Sequence, residues 1–136
     1  LRDFIATQAL SHSETIWLLD DTIPTSAIAA ESNLERVRAA RRTEGNPQDE
    51  TWMGDVFKVV AFIDSFCPQF SCITTDGHGQ TFVIPKPREA RKSIYETIEE
   101  INGLNYVDLL LLKDSILAPT NLELILEEIR NIGSWK

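Results

Sequence analysis

REARKSIYETIEEINGLNYVDLLLLKD, residues 88–114, is the stretch on which the reading of the fold turns. Val107 and Leu109 to Leu112 form an almost unbroken apolar run, which suits a strand covered on both faces better than one with a wet face. The segment 88–102 before it places Ala90, Ile94, Ile98 and Ile101 on one helical stripe. Glu89, Arg91, Glu96, Glu99 and Glu100 lie outside that stripe, and Gly103 follows as a helix terminator. A helix feeding a buried strand is the unit of an α/β domain, and such a strand belongs in the middle of a sheet.

Outward from this unit, ETIWLLDD (14–21) reads as a second buried strand, with Asp20 and Asp21 at its carboxyl end, where open α/β sheets place ligands. Pro24, Thr25 and Ser26 signal the start of a helix that runs through an Ala-rich segment to Arg42. EGNPQDET (44–51) is a loop. Residues 52–70 carry both β-prone residues and the helical face Val56, Val59, Val60 and Ile63. Helix is favoured, because Phe66 extends that face and Pro68 then stops it. The runs 70–75 and 80–84 flank Asp76-Gly77-His78-Gly79 and read as a hairpin. Thr120 and Glu123 have capping-box spacing ahead of a stripe of Leu122, Ile125, Leu126, Ile129 and Ile132, closed by Gly133. A short helix over the first ten residues completes the expectation. The sum is a single α/β domain over 1–136, with a central mixed sheet of four or five strands and helices packed on it as a three-layer sandwich.

At 136 residues and 43% hydrophobic, the chain can bury about two-thirds of its unfolded surface as one domain. It lacks a run of roughly 18 apolar residues that could span a membrane. Its net charge of −8 repels nucleic-acid backbones and anionic membranes, so neither is an expected partner. Two cysteines, Cys67 and Cys72, are too few for a disulfide framework, and a reducing intracellular compartment, the cytoplasm, is the expectation. The chain does not begin with Met, and it is expected to be a domain of a larger protein.

The candidate chemistry is sparse. Asp20, Asp21 and Asp114 would converge if the two central strands were parallel neighbours, and three carboxylates can hold Mg²⁺. The competing reading has Asp20 and Asp21 starting a turn. Cys67, Cys72 and His78, with Asp76 nearby, have a loose zinc-ligand look, against which free thiols beside a turn are the better reading. RVRAARR (36–42) could grip an acidic partner or RNA, but with a net charge of −8 its cations read as a solvated helix end. No GxxxxGK[ST] or GxGxxG loop is present. Trp52, beside the polar loop, and Trp135, near the C-terminus, are candidate partner-binding aromatics, since Trp is enriched at interface hot spots.

VDLLLLKDSILAPTNLELILEEIR (107–130) resembles the third strand and following helix of response-regulator receiver domains, and the acidic pair after IWLL resembles their first-strand pair. That resemblance implies a phospho-acceptor site built from Asp20, Asp21 and Asp114, although Lys113 stands where the acceptor aspartate aligns. RKSIYETIEEINGLNYVDLLLLKD (91–114) is similar to a helix and strand of aldo-keto reductases, with Lys113 at the place of their active-site histidine. A chain of this length cannot close their eight-stranded barrel of about 250 residues. Both likenesses share one feature, a helix leading into a Leu-rich strand.

The expected function is therefore a non-catalytic protein-interaction or regulatory domain, with self-association through the Leu-rich C-terminal helix as a further expectation. The alternative is a carboxylate–metal enzyme or receiver-like domain using Asp20, Asp21 and Asp114.

Overall fold

The computed structural model describes residues 1–77, 79–88, 93–117 and 119–132, at 112 and 132 by backbone alone. Its elements in chain order are α1 (Arg2–Gln8), β1 (Trp17–Leu19), α2 (Leu34–Thr43), α3 (Phe57–Phe66), β2 (Ser71–Thr74) and β3 (Thr81–Ile84). Then come α4 (Ile98–Gly103), α5 (Tyr106–Leu112), a π-helical turn (Lys113–Leu117) and α6 (Leu122–Ile132).

The sheet corrects the sequence expectation. It has three strands in the order β1-β3-β2, and both pairings are antiparallel. Among the described residues a fourth or fifth strand is missing because the segment expected to supply the central one, Val107 to Leu112, is helical. The local cause is a reciprocal cap. Asn105 Oδ1 accepts from the backbone N–H of Val107 at 2.8 Å and of Asp108 at 3.4 Å, while Asp108 Oδ2 accepts from Asn105 N–H at 2.9 Å. This satisfies backbone donors that a helix start otherwise leaves without partners. The leucines that follow are strong helix formers, and only Val107 is β-branched. A continuous apolar run has no period of its own, so the cap decides.

The preceding helix is also shorter than expected. Thr97 and Glu100 form a second capping box, with Thr97 Oγ1 accepting from Glu100 N–H at 3.2 Å and Glu100 Oε2 accepting from Thr97 N–H at 3.0 Å. Hence α4 starts at Ile98. Ile94 and Ile98 are exposed, Ile101 is buried, and Gly103 is the last helical residue; Ala90 lies outside the described residues. Likewise α2 starts at Leu34, capped by the Asn33 side chain, and not at Pro24. Before α6, Asn121 Oδ1 accepts from Glu123 N–H at 2.7 Å, and Thr120 instead donates its N–H to Thr74 O at 2.8 Å, laying its backbone beside β2.

The helix reading of 52–70 and the hairpin match the structure, and a strand does form within 14–21, but it is a three-residue edge strand with Leu18 exposed and not a buried one, because only β3 pairs with it. In register, Trp17, Val83 and Cys72 stand side by side on one sheet face, and Leu18, Phe82 and Ile73 on the other. The first face packs on α3 and α1: Val83 clusters with Phe4, Ile63 and Cys67, joined by Trp17, Leu19 and Phe70. Phe4, Trp17 and Phe70 meet edge to face at 5.2 to 6.1 Å, a favoured aromatic geometry. A second cluster joins Ile23, Ala30, Phe57, Val60, Leu109 and Leu117, next to the first along α3, with Leu19 and Cys72 packed against both.

The sheet end is locked by three fully buried threonines. Thr22 Oγ1 donates to Gly79 O at 2.6 Å, so the Thr22–Thr81 hydroxyl contact at 2.8 Å must run from Thr81, and the Thr74–Thr81 contact at 2.9 Å from Thr74. Each hydroxyl has one proton, which fixes the direction of the chain. Gly79 has φ +73°, and a Cβ built there would lie 2.4 Å from Ile23 Cγ1 and 2.7 Å from Ile23 N.

Gly79→Ala therefore combines backbone strain with a collision against main chain, and an unfolding loss on the order of 3 kcal/mol is expected. Gly45 also has a positive φ, +76°, but has open space around it, so Gly45→Ala carries the strain alone, about 1 kcal/mol. Urea unfolding compares the two; equal midpoints would contradict the packing described for Gly79.

Candidate functional site

The carboxylates named from the sequence do not assemble. Asp21 has φ +59°, and Asp20 Oδ1 accepts from Asp21 N–H at 3.0 Å and from Gln80 Nε2 at 3.1 Å, a turn tied to the hairpin. Asp114 lies on the π-helical turn, exposed, so the parallel-strand geometry that would have brought it to Asp20 and Asp21 is missing. Among the described residues, no group of three or more His, Cys, Asp or Glu could hold a metal ion.

Cys67 and Cys72 are not joined in a disulfide. His78 lies outside the described residues, and so does Trp135. Burial pushes the Cys67 thiol up, so it stays protonated at neutral pH and is a poor nucleophile. Trp52 is 43% exposed, and its Nε1–H donates to Glu31 O at 2.8 Å, which fixes the ring at the surface. The arginine run is divided. Arg38 pairs with Glu35 at 2.7 Å on the surface, whereas Arg41 is buried and pairs with Asp49 at 2.8 Å.

The feature that sequence reasoning missed is the outer side of α5. Leu109 and Leu117 face the core, and the opposite positions Val107, Leu110 and Leu111 are 62%, 55% and 78% exposed. These three sit at i, i+3 and i+4, one helical face. A helix that is apolar all round is normally covered all round. The signal was present in the sequence: the Asn105–Asp108 spacing of a capping box shows that the run is helical, and a helix from this run must present leucine on both sides. On α6, Ile125 is fully buried while Leu122, Leu124 and Leu126 are exposed. Leu122 also closes a hollow of about 550 Å³ with Leu18 and Phe82 on the open sheet face, with Thr75, Asp76 and Gln80 along its polar rim.

The apolar face stands in an acidic field. Across 98–132 there are seven Asp or Glu residues and two Lys or Arg. Tyr95, behind α5 against Leu104 and Leu109, registers this: burial raises its hydroxyl above the ordinary tyrosine range, and the Asp108 and Glu100 charges raise it further. Among the described residues, no helix is long and apolar enough to cross a membrane.

No protein-family description matches the chain, and neither does any curated protein or solved structure. The two local likenesses to receiver domains and aldo-keto reductases both depended on a strand at 107–112, and a helix stands there.

Two outcomes follow from this geometry. Millimolar Mg²⁺ should leave the thermal unfolding midpoint unchanged, since a site bound only in the folded state would raise it. A Mg²⁺-dependent rise, abolished by Asp114→Asn, would contradict the placement of the carboxylates. Mass spectrometry after alkylation at neutral pH should find Cys67 unmodified until denaturant is added.

Proposed function

We propose that this chain is a protein-interaction module whose docking surface is the outer face of α5, Val107, Leu110 and Leu111. The observation that carries the proposal is the exposure of three large aliphatic side chains on one face of a helix whose other face is core. Such contiguous apolar surface, rimmed by charge, marks interaction sites in folded proteins.

The charge around the face narrows the partner. Glu99, Glu100, Asp108 and Asp114 outnumber Lys113 along 98–114, so a second copy would bring like charges together. The fitting partner is an amphipathic helix with an apolar stripe flanked by Lys or Arg, packed helix against helix on this face. This reading moves the binding role away from Trp52 and Trp135 and from self-association, and it assigns no catalysis.

The test uses two synthetic helices with the same leucine stripe, one flanked by lysine and one by glutamate. Fluorescence anisotropy should show binding of the lysine peptide alone, weakening with salt as screened charges require. Leu110→Asp with Leu111→Asp should abolish that binding while shifting stability by less than about 1 kcal/mol, since both side chains are on the surface. Equal binding of both peptides, or binding unaffected by the double substitution, would reject the proposed surface. Sedimentation of the unliganded chain should show a monomer.

A further inference from the structure

A second site lies away from α5, and a different set of observations supports it. One face of α2 and the segment 47–52 enclose a cleft of about 450 Å³, within the range of small-ligand sites. Arg38, Arg41 and Arg42 line it from the helix, and Asp49, Glu50 and Trp52 from the opposite side.

The charges in the cleft are not equally available. Arg41 Nη1 is committed to Asp49 Oδ2 at 2.8 Å. Asp49 is itself held below the ordinary carboxylate range, first by the Thr51 hydroxyl and N–H and then by Arg41. This pair pins the loop, and Arg41 O accepts from Asn46 N–H at 2.9 Å on the same stretch. Arg41 is 9% exposed, yet its buried Nε–H has no acceptor among the described residues. That atom is sealed from solvent and out of reach of anything in the cleft, so Arg41 serves as a fixed part of the wall and the donors open to a ligand are those of Arg38 and Arg42. Arg42 makes no ion pair among the described residues, and the Arg38–Glu35 pair is a surface pair that a ligand could displace at little cost. The Trp52 indole, anchored through Nε1–H to Glu31 O, forms a fixed aromatic wall. Opposing these donors, Glu50 is the lining carboxylate that makes no ion pair among the described residues.

We infer that the cleft binds a small planar ligand carrying an oxyanion group, an aromatic or heterocyclic carboxylate or phosphate. Its oxygens take Arg42 and Arg38, and its ring lies on Trp52. Guanidinium groups match the paired oxygens of carboxylate and phosphate, and flat rings stack on indole. The site is for a small molecule, because a nucleic-acid strand would meet the repulsion of the whole chain.

The probes are phenyl phosphate and benzoate, with phenol, phenylammonium and inorganic phosphate as comparisons. Trp52 fluorescence is the readout, isolated as the difference between the wild-type chain and Trp52→Phe, and titration calorimetry gives affinity without it. Saturable quenching by phenyl phosphate or benzoate is expected, and whichever binds more tightly identifies the head group. Arg42→Gln should weaken it about tenfold or more and Glu50→Gln should strengthen it several-fold. Both substitutions are at exposed positions and should leave the unfolding midpoint in place. Equal binding of phenol or phenylammonium, equal affinity for inorganic phosphate, no saturable binding, or an Arg42→Gln chain that binds like wild type would each overturn the inference.

Discussion

Val60 and Ile63, neighbours on one face of α3, have no solvent exposure and hold the two halves of the core together. Val60 belongs with Ile23, Phe57, Leu109 and Leu117, and Ile63 with Phe4, Cys67 and Val83. A sheet of three strands, each three or four residues long, cannot enclose a core of its own. It depends on α3 to cover the face carrying Trp17, Val83 and Cys72. The same helix gives α5 and the π-helical turn a surface for Leu109 and Leu117. Leu109 and Leu117 turn the inner side of α5 and the π-helical turn to that core, so the outer face of α5 points away from it. The exposure of Val107, Leu110 and Leu111 is thus a consequence of how a small sheet and one central helix divide the available burial.

What could be read from the sequence follows from where its patterns were periodic. The hairpin was legible because Gly77 and Gly79 stand between apolar runs, and both take positive φ. The α3 helix was legible because Val56, Val59, Val60, Ile63 and Phe66 keep helical spacing up to Pro68. Trp17 to Leu19 was legible as a strand, though not its antiparallel partner, because pairing is set by residues far along the chain. Leu109 to Leu112 was misread because four consecutive leucines carry no period, and burial on both faces was inferred where a cap had already chosen helix. That single misreading propagated: it added a central strand, implied parallel neighbours, and brought Asp114 towards Asp20 and Asp21.

The candidate sites were legible only in part. Trp52 was picked out as an exposed aromatic, and the arginine run as a cluster of cations. Their meeting across one cleft depends on the Arg41–Asp49 pair, which joins positions separated by a loop without periodic pattern. The exposed face of α5 could not be found while the segment was taken for a strand. Its acidic surroundings were visible in composition, as part of the net charge of −8, and acquire meaning only once the helix shows which apolar residues they surround.

Cysteine scanning from Val107 to Leu111, in a chain with Cys67 and Cys72 replaced by alanine, tests this most directly. The account predicts fast native-state alkylation at 107, 110 and 111 and protection at 109, the three-to-four-residue period of a helix with one covered side. Alternation with a period of two, or protection at every position, would show a strand or a fully buried segment and would contradict it.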